Sequence, residues 1–158
     1  MSPGQPAGTD VVAVTPVLQE LIDAYDATVA AILADPRVAS QPGHELVLAY
    51  LSLFPEDSSF ASGTLEFWAS EGELGRFYQP GPRGEMYASA VGSVVPDSAD
   101  QVTFTVCTVK SIVIVDSSGS ELSAEGGVTA GSVIAIRSEG VWHLRDLTRT
   151  SAEGCPNP

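Results

Sequence analysis

"QVTFTVCTVKSIVIVDSSGS" (Gln101–Ser120) is the most strand-like run in the chain. β-Branched and aromatic residues dominate it, and in its first half they alternate with polar ones. Val102, Phe104 and Val106 fall on one face; Thr103, Thr105 and Cys107 fall on the other. Neither face holds a carboxylate. We read the run as two strands, "QVTFTVCTV" and "SIVIVD", followed by a turn at "DSSGS" (Asp116–Ser120). Around them "LGRFYQ", "EMYASAVGSVV", "SVIAIRS" and "VWHLRDLTR" read as further strands, separated by Pro, Gly, Asp and Ser clusters. "SVIAIRSEGVWHLRDL" is expected to form a hairpin that turns at Glu139-Gly140. Strands that follow one another with no helix between them make an antiparallel sheet.

Upstream, the period changes to that of a helix. In "TPVLQELIDAYDATVAAILADP", Thr15 is the expected N-cap and Pro16 the first helical residue. Val17, Leu18, Leu21, Ile22, Tyr25, Val29, Ile32 and Leu33 then mark one face, Asp23 and Asp26 take the other, and Pro36 supplies the stop. Shorter helices are expected over His44–Phe54 and Gly63–Ser70, the second with Leu65 and either Trp68 or Phe67 turned inward. Helices first and strands afterwards define an α+β fold whose helices cover one face of the sheet. Residues 1–11 read as a flexible Pro/Gly leader, 12–150 as one domain and 151–158 as an irregular tail. A chain of 158 residues is long enough to bury one core.

Composition narrows the partners. The 20 acidic residues outnumber 7 basic ones, Lys110 is the one lysine, and the net charge is −13. Such a chain repels phosphate backbones and anionic lipid headgroups, so neither nucleic acid nor a membrane surface is an expected partner. The run "LVLAYLSLF" stops at Pro55, well short of the roughly 18–20 apolar residues that span a bilayer. The opening "MSPGQPAGTD" has neither a basic n-region nor an apolar h-region. Leaders of this composition follow a removed signal or lipid anchor, which makes export the expectation.

No metal and no cofactor is expected. His44 and His143 stand about a hundred positions apart, and CxxC, HExxH, GxGxxG, P-loop and GxSxG spacings are absent. His44 stands at a helix start, where it caps or covers a turn. "GPRGE" (Gly81–Glu85) is glycine-rich but lies between strands, without the helix a phosphate cradle needs. Cys107 has only Val106, Thr108 and, further on, Lys110 beside it, so nothing local activates a thiolate. Cys155 sits in the tail. We expect the two to pair, enclosing roughly 50 residues and stabilising the fold by about 4 kcal/mol in the chain-entropy model. A disulfide implies an oxidising compartment, hence an extracellular or cell-envelope location. A free buried Cys107, a nucleophilic Cys107 and a cytoplasmic location stay open as alternatives.

The order of elements, together with "LQELIDAYDATVAAILADP", "HELVLAYLS", "TFTVCTV" and "GVWHLRDL", resembles the NTF2-like superfamily, also called the SnoaL-like or cystatin-like α+β cone. More narrowly, it resembles secreted or lipid-anchored members from high-GC Gram-positive bacteria. The resemblance runs from about Val12 to Thr150. It implies a long N-terminal helix and two short ones packed in the concavity of a strongly curved antiparallel sheet, with a pocket between them. Enzymes of the superfamily place a carboxylate, histidine or tyrosine there; other members use the cone for binding or dimerisation. On strict alternation Asp146 shares a face with Trp142 and Leu144, while His143, Arg145 and Leu147 share the opposite one. Asp146, Glu85 (next to Tyr87) and Tyr25 are therefore the candidate catalytic groups. Tyr25, Tyr50, Trp68, Tyr87 and Trp142 are the candidates to line a pocket for an apolar ligand. The expected function is an exported, non-enzymatic domain that binds a small apolar ligand or a protein partner through its cone or sheet, with homodimerisation through the sheet as one form. The alternative is a SnoaL-type lyase, isomerase or hydrolase.

Overall fold

The computed structural model describes residues 10–155; residues 1–9 and 156–158, with most of the expected leader and the end of the tail, lie outside the described residues. Five strands form one antiparallel sheet: β1 (Phe77–Pro80), β2 (Tyr87–Ser98), β3 (Gln101–Val115), β4 (Glu121–Ser138) and β5 (Val141–Ala152). The opening run is a single strand. No break falls between "QVTFTVCTV" and "SIVIVD", because Lys110 stays paired with Tyr87 on one side and Gly127 on the other. β3 is the centre of the sheet: β2 pairs with its first part, β1 with its last, β4 with its whole length, and β5 lies outside β4. Val102, Phe104 and Val106 are buried, as alternation requires.

The turns carry the chemistry read from them. Glu139 (φ 53°) and Gly140 (φ 79°) close β4–β5, the left-handed pair that a two-residue hairpin demands. Between β3 and β4, Asp116 Oδ1 accepts hydrogen bonds from the backbone N–H of Ser118 (2.9 Å) and Ser120 (3.0 Å). β4 begins well before "SVIAIRS": the small, polar stretch Glu121–Gly131 has β3 as its template and needs no apolar face of its own.

Three α-helices, α1 (Val11–Ala34), α2 (Glu45–Leu51) and α3 (Ser59–Glu73), precede the sheet, with a short 3₁₀ turn at Pro36–Ser40. α1 starts before the expected Thr15–Pro16 boundary and takes in the end of the supposed leader. Asp10 is its cap, accepting from Val12 N–H at 3.0 Å. Pro16 lies inside the helix on its exposed side, where the Val12 carbonyl it leaves unbonded is open to water. His44 caps α2 through Nδ1, which accepts from Leu46 N–H at 3.1 Å. Ser58 caps α3, so that helix is longer than Gly63–Ser70; Leu65 and Trp68 turn inward and Phe67 outward.

Val14, Leu18, Ile22, Tyr25, Val29, Ile32 and Leu33 of α1 pack with Val102, Phe104, Val106, Val133, Ala135, Leu144 and Leu147 of the sheet. Asp26 is buried among them, which corrects the reading that set it with Asp23 on the solvent face. The Gln19 carboxamide stitches α1 to β2, donating to the Ser89 carbonyl and accepting from Val91 N–H, both at 2.9 Å. On the opposite face of β3 from Val106, Cys107 is joined to Cys155 by a disulfide that ties the tail to the central strand.

Candidate functional site

β5 decides where the site lies. Leu144 pairs with Ala135 and Asp146 with Ile134, which leaves Arg145 as an extra residue, a β-bulge. Past the bulge the two faces exchange: Leu147 turns inward and is buried, whereas Asp146 turns outward and is exposed. Arg149, two residues on, follows Leu147 to the inner face. Its partner on β4 is Gly131. A Cβ at Gly131 would press on the Thr148 carbonyl and come within 2.9 Å of Arg149 Cγ, so the glycine makes room for the arginine stem.

Next to Arg149 the inner face becomes polar. Ser89, Thr108, Thr129 and Ser151 are successive register partners across β2, β3, β4 and β5. The Ser89 and Thr108 hydroxyls are 2.8 Å apart. α1 sets Tyr25 and Asp26 against this row. The Arg149 guanidinium lies over the Tyr25 ring, 5.6 Å from its centroid, and Arg149 Nη2 is 4.0 Å from Asp26 Oδ1. That separation makes an ion pair without a hydrogen bond. Arg149 Nη2 and Thr129 Oγ1 are both buried and have no hydrogen-bond partner among the described residues.

Burial shifts the protonation of the cluster. It raises the Asp26 carboxyl above the ordinary aspartate value; the Ser89 hydroxyl and Arg149 pull it down, and Asp23 adds to the rise. Burial also pushes the Tyr87 phenol up to about 12 and raises Tyr25, so both remain hydrogen-bond donors at neutral pH. An open cleft of about 400 Å³ reaches this end of the cone, lined by Asp23, Asp26 and Ala30 on α1 and by Glu85, Tyr87 and Ser89 opposite. A buried carboxyl, a guanidinium with one unpartnered nitrogen and two phenols can hold a polar group or move a proton.

No protein-family model matches the sequence, and no curated protein matches it either. Solved structures do share its architecture. The intermembrane-space region of the chloroplast protein ARC6 superposes with a TM-score of 0.62 at 12% identity, covering 87% of this chain and 97% of that one. A ketosteroid isomerase-like protein from Erwinia carotovora atroseptica SCRI1043 gives 0.55 at 14% identity, covering 87% and 95%. A protein with a cystatin-like fold from Nostoc punctiforme PCC 73102 gives 0.49 at 11%, covering 94% and 97%. The fold is the NTF2-like α+β cone. At these identities the likeness extends to fold alone.

The NTF2-like cone distributes the residues singled out in the sequence unevenly. Tyr25 and Tyr87 stand at the polar end, and Glu85 lies exposed on the cleft's rim. Tyr50 and Trp68 are core: the Tyr50 ring centroid is 5.0 Å from those of Phe54 and Trp68 and 6.2 Å from that of Tyr25. Burial raises the Tyr50 phenol; its hydroxyl lies near Thr64 but makes no hydrogen bond of ordinary geometry. Trp142 sits near the start of β5, stacked with Arg137 at 5.4 Å. Asp146 lines a separate cleft with Arg145 and Asp57, and His143 another with Glu56. Both cysteines are in the disulfide, so no thiol is available as a nucleophile. Among the described residues no three His, Cys, Asp or Glu side chains converge as metal ligands. Glu71 is a second buried carboxylate, but it is fully used: it accepts from the Tyr78 hydroxyl and, at 3.1 Å, from Arg76, fastening α3 to β1.

Sequence reading missed Asp26 and Arg149. Asp26 had a signal, since it falls only about 20° from Leu33 on a helical wheel, at the edge of the apolar face. Arg149 had none: one bulge hides it and promotes Asp146 in its place.

Proposed function

We propose that this domain binds a small molecule at the Asp26–Arg149 end of the cone, reached through the cleft between α1 and β2, and that it works in an oxidising compartment. Asp26 carries the reading: it is 6% exposed, lines the cleft, and faces a guanidinium 4.0 Å away with no hydrogen bond between them. A buried carboxylate that is not hydrogen-bonded to its half-buried counter-charge opposes folding. With Asp26 on the wall of the cleft, such an arrangement is better suited to a ligand than to the scaffold. Ala27, Ala30 and Met86 give the ligand's apolar part a surface to rest on. Tyr50 and Trp68 act here as packing behind the site. The Cys107–Cys155 bond supports export, because such bonds persist outside the reducing cytoplasm.

Native mass spectrometry of the protein purified from its own cell envelope tests this directly. The wild type is expected to carry a small-molecule adduct that Asp26→Asn lacks. A wild type without an adduct, or a variant with the same one, would count against the reading.

A second reading is acid–base chemistry at the same place, with Asp26 taking the role first given to Asp146 or Glu85 and Tyr25 and Tyr87 as donors. It is favoured by a desolvated carboxyl whose charge is felt by two nearby phenols and by the ketosteroid isomerase-like structural neighbour. A ketone with exchangeable α-hydrogens would then gain deuterium from D₂O at a protein-dependent rate that Asp26→Asn abolishes. An unchanged exchange rate leaves binding alone.

A further inference from the structure

The cleft between α1 and β2 is open to solvent, and the charges on its walls are all of one sign. Asp23, Asp26, Ala27 and Ala30 follow at helical spacing and form one face of α1. Glu85, Met86 and Tyr87, where the chain enters β2, complete the lining. Three carboxyl groups thus line the cleft, and no lysine or arginine does. Arg83, near Glu85 in sequence, and Lys110, the register partner of Tyr87, stay off its walls. Arg149 reaches Asp26 from the sheet and stays off them too. Asp23 and Glu85 are exposed and keep their water, the ordinary state of surface acids. Asp26 differs: it is 6% exposed and yet lines the cleft. A positive donor arriving through the cleft would replace the hydration that its carboxylate has given up.

Charge therefore selects the ligand. An anion meets three carboxyl groups and a chain of net charge −13. A neutral ligand leaves the Asp26 charge as poorly offset as before. A bare metal ion fits no better, because among the described residues no three carboxyl, imidazole or thiol groups converge to hold one. The same walls carry Ala27, Ala30, Pro80 and Met86, an apolar surface that a metal ion would not use. We infer that the ligand is an organic cation, an ammonium on a small apolar body, whose N–H groups donate to Asp26 under the attraction of Asp23 and Glu85; the inference rests on the ligand-binding reading above.

Benzylamine, benzyl alcohol and benzoate share one ring and differ in charge. Each is titrated by NMR into wild type, Asp26→Asn and Glu85→Gln at low and at high salt. Benzylamine, an ammonium at neutral pH, is expected to bind tightest. Asp26→Asn keeps the side chain's shape and should weaken it about tenfold or more, the scale of a hydrogen bond to a charged group. Glu85→Gln should weaken it about two- to fivefold, as loss of a solvated ion pair does, and added salt should erase that difference. Glu85 is exposed, so its variant tests the inference even if Asp26→Asn fails to fold. Benzyl alcohol or benzoate binding as tightly as benzylamine would overturn the ligand class while leaving the binding site in place. Calcium displacing benzylamine at equal concentration would do the same. Benzylamine binding that ignores both substitutions and salt would overturn the inference, since the ammonium is then held elsewhere. If none of the three binds, the inference falls; if the purified protein also lacks an adduct, the binding reading falls with it.

Discussion

Opening the Cys107–Cys155 bond is expected to lower stability by about 4 kcal/mol without dismantling the cone. The bond joins residues 48 apart in sequence. In the chain-entropy model a closed loop of that length removes about 13–14 cal/mol/K from the unfolded ensemble, or about 4 kcal/mol at 25 °C. For a domain of this size each kcal/mol moves the melting temperature by about 2–4 °C, so a fall of about 8–16 °C follows. Cys155→Ser is the cleaner change, because Cys155 is exposed whereas Cys107 is buried against the sheet. Calorimetry should show the oxidised wild type highest, with the reduced wild type and Cys155→Ser lower by the same amount. Adding Cys107→Ala to Cys155→Ser should change little beyond a small packing loss, since one bond cannot be lost twice. The far-ultraviolet circular dichroism should be unchanged at 20 °C. A fall under about 2 °C would refute the tether as a stabilising element, on the same scale. Loss of the fold would show that the tail does more than close a loop.

Other expectations follow from the site's construction. Gly131→Ala drives a methyl group against the Thr148 carbonyl and Arg149 Cγ. It should destabilise by about 1–3 kcal/mol in denaturant titrations, and it should weaken binding of whatever adduct the wild type carries. Gln19→Ala removes both hydrogen bonds between α1 and the edge of β2 and strands the Val91 N–H. A loss of about 1–3 kcal/mol is expected, with faster amide exchange at Val91 as its local mark. Asp26→Asn should act in the opposite direction. Because folding raises the Asp26 pKa, the folded state holds that proton more tightly than the unfolded chain, and stability declines as pH climbs from about 3.9 through the raised value. The variant should therefore be the more stable protein at pH 7, and its advantage should vanish below about pH 4; equal stabilities at pH 7 would contradict the assignment.

The cone was readable because its elements advertise themselves locally. Alternation along Gln101–Val106, the helical spacing from Leu18 to Leu33, and Glu139-Gly140 between two apolar runs each point to one element, and those elements have one plausible packing. Boundaries suffered where two local signals compete. Thr15-Pro16 is a sound helix start, but Asp10 offers an earlier cap and Pro16 is harmless on a wet face. The site was harder to see for a physical reason. Period-2 logic holds only while every residue is paired, and Arg145 is not. A single unpaired residue moved Asp146 to solvent and brought Leu147 and Arg149 inside. Tyr25 and Tyr87 were candidates because aromatic residues near an expected pocket are conspicuous. Their charged partners were not.

The titration of Asp26, followed through its side-chain carboxyl carbon by NMR in wild type and Arg149→Met, tests the central claim most directly. A carboxyl buried at the polar end of the cone should titrate above the ordinary aspartate value of 3.8, and higher still once Arg149, which pulls it down, has been removed. A midpoint at or below 3.8 in the wild type, unmoved by Arg149→Met, would place Asp26 in water and away from Arg149, and the proposed site would not exist.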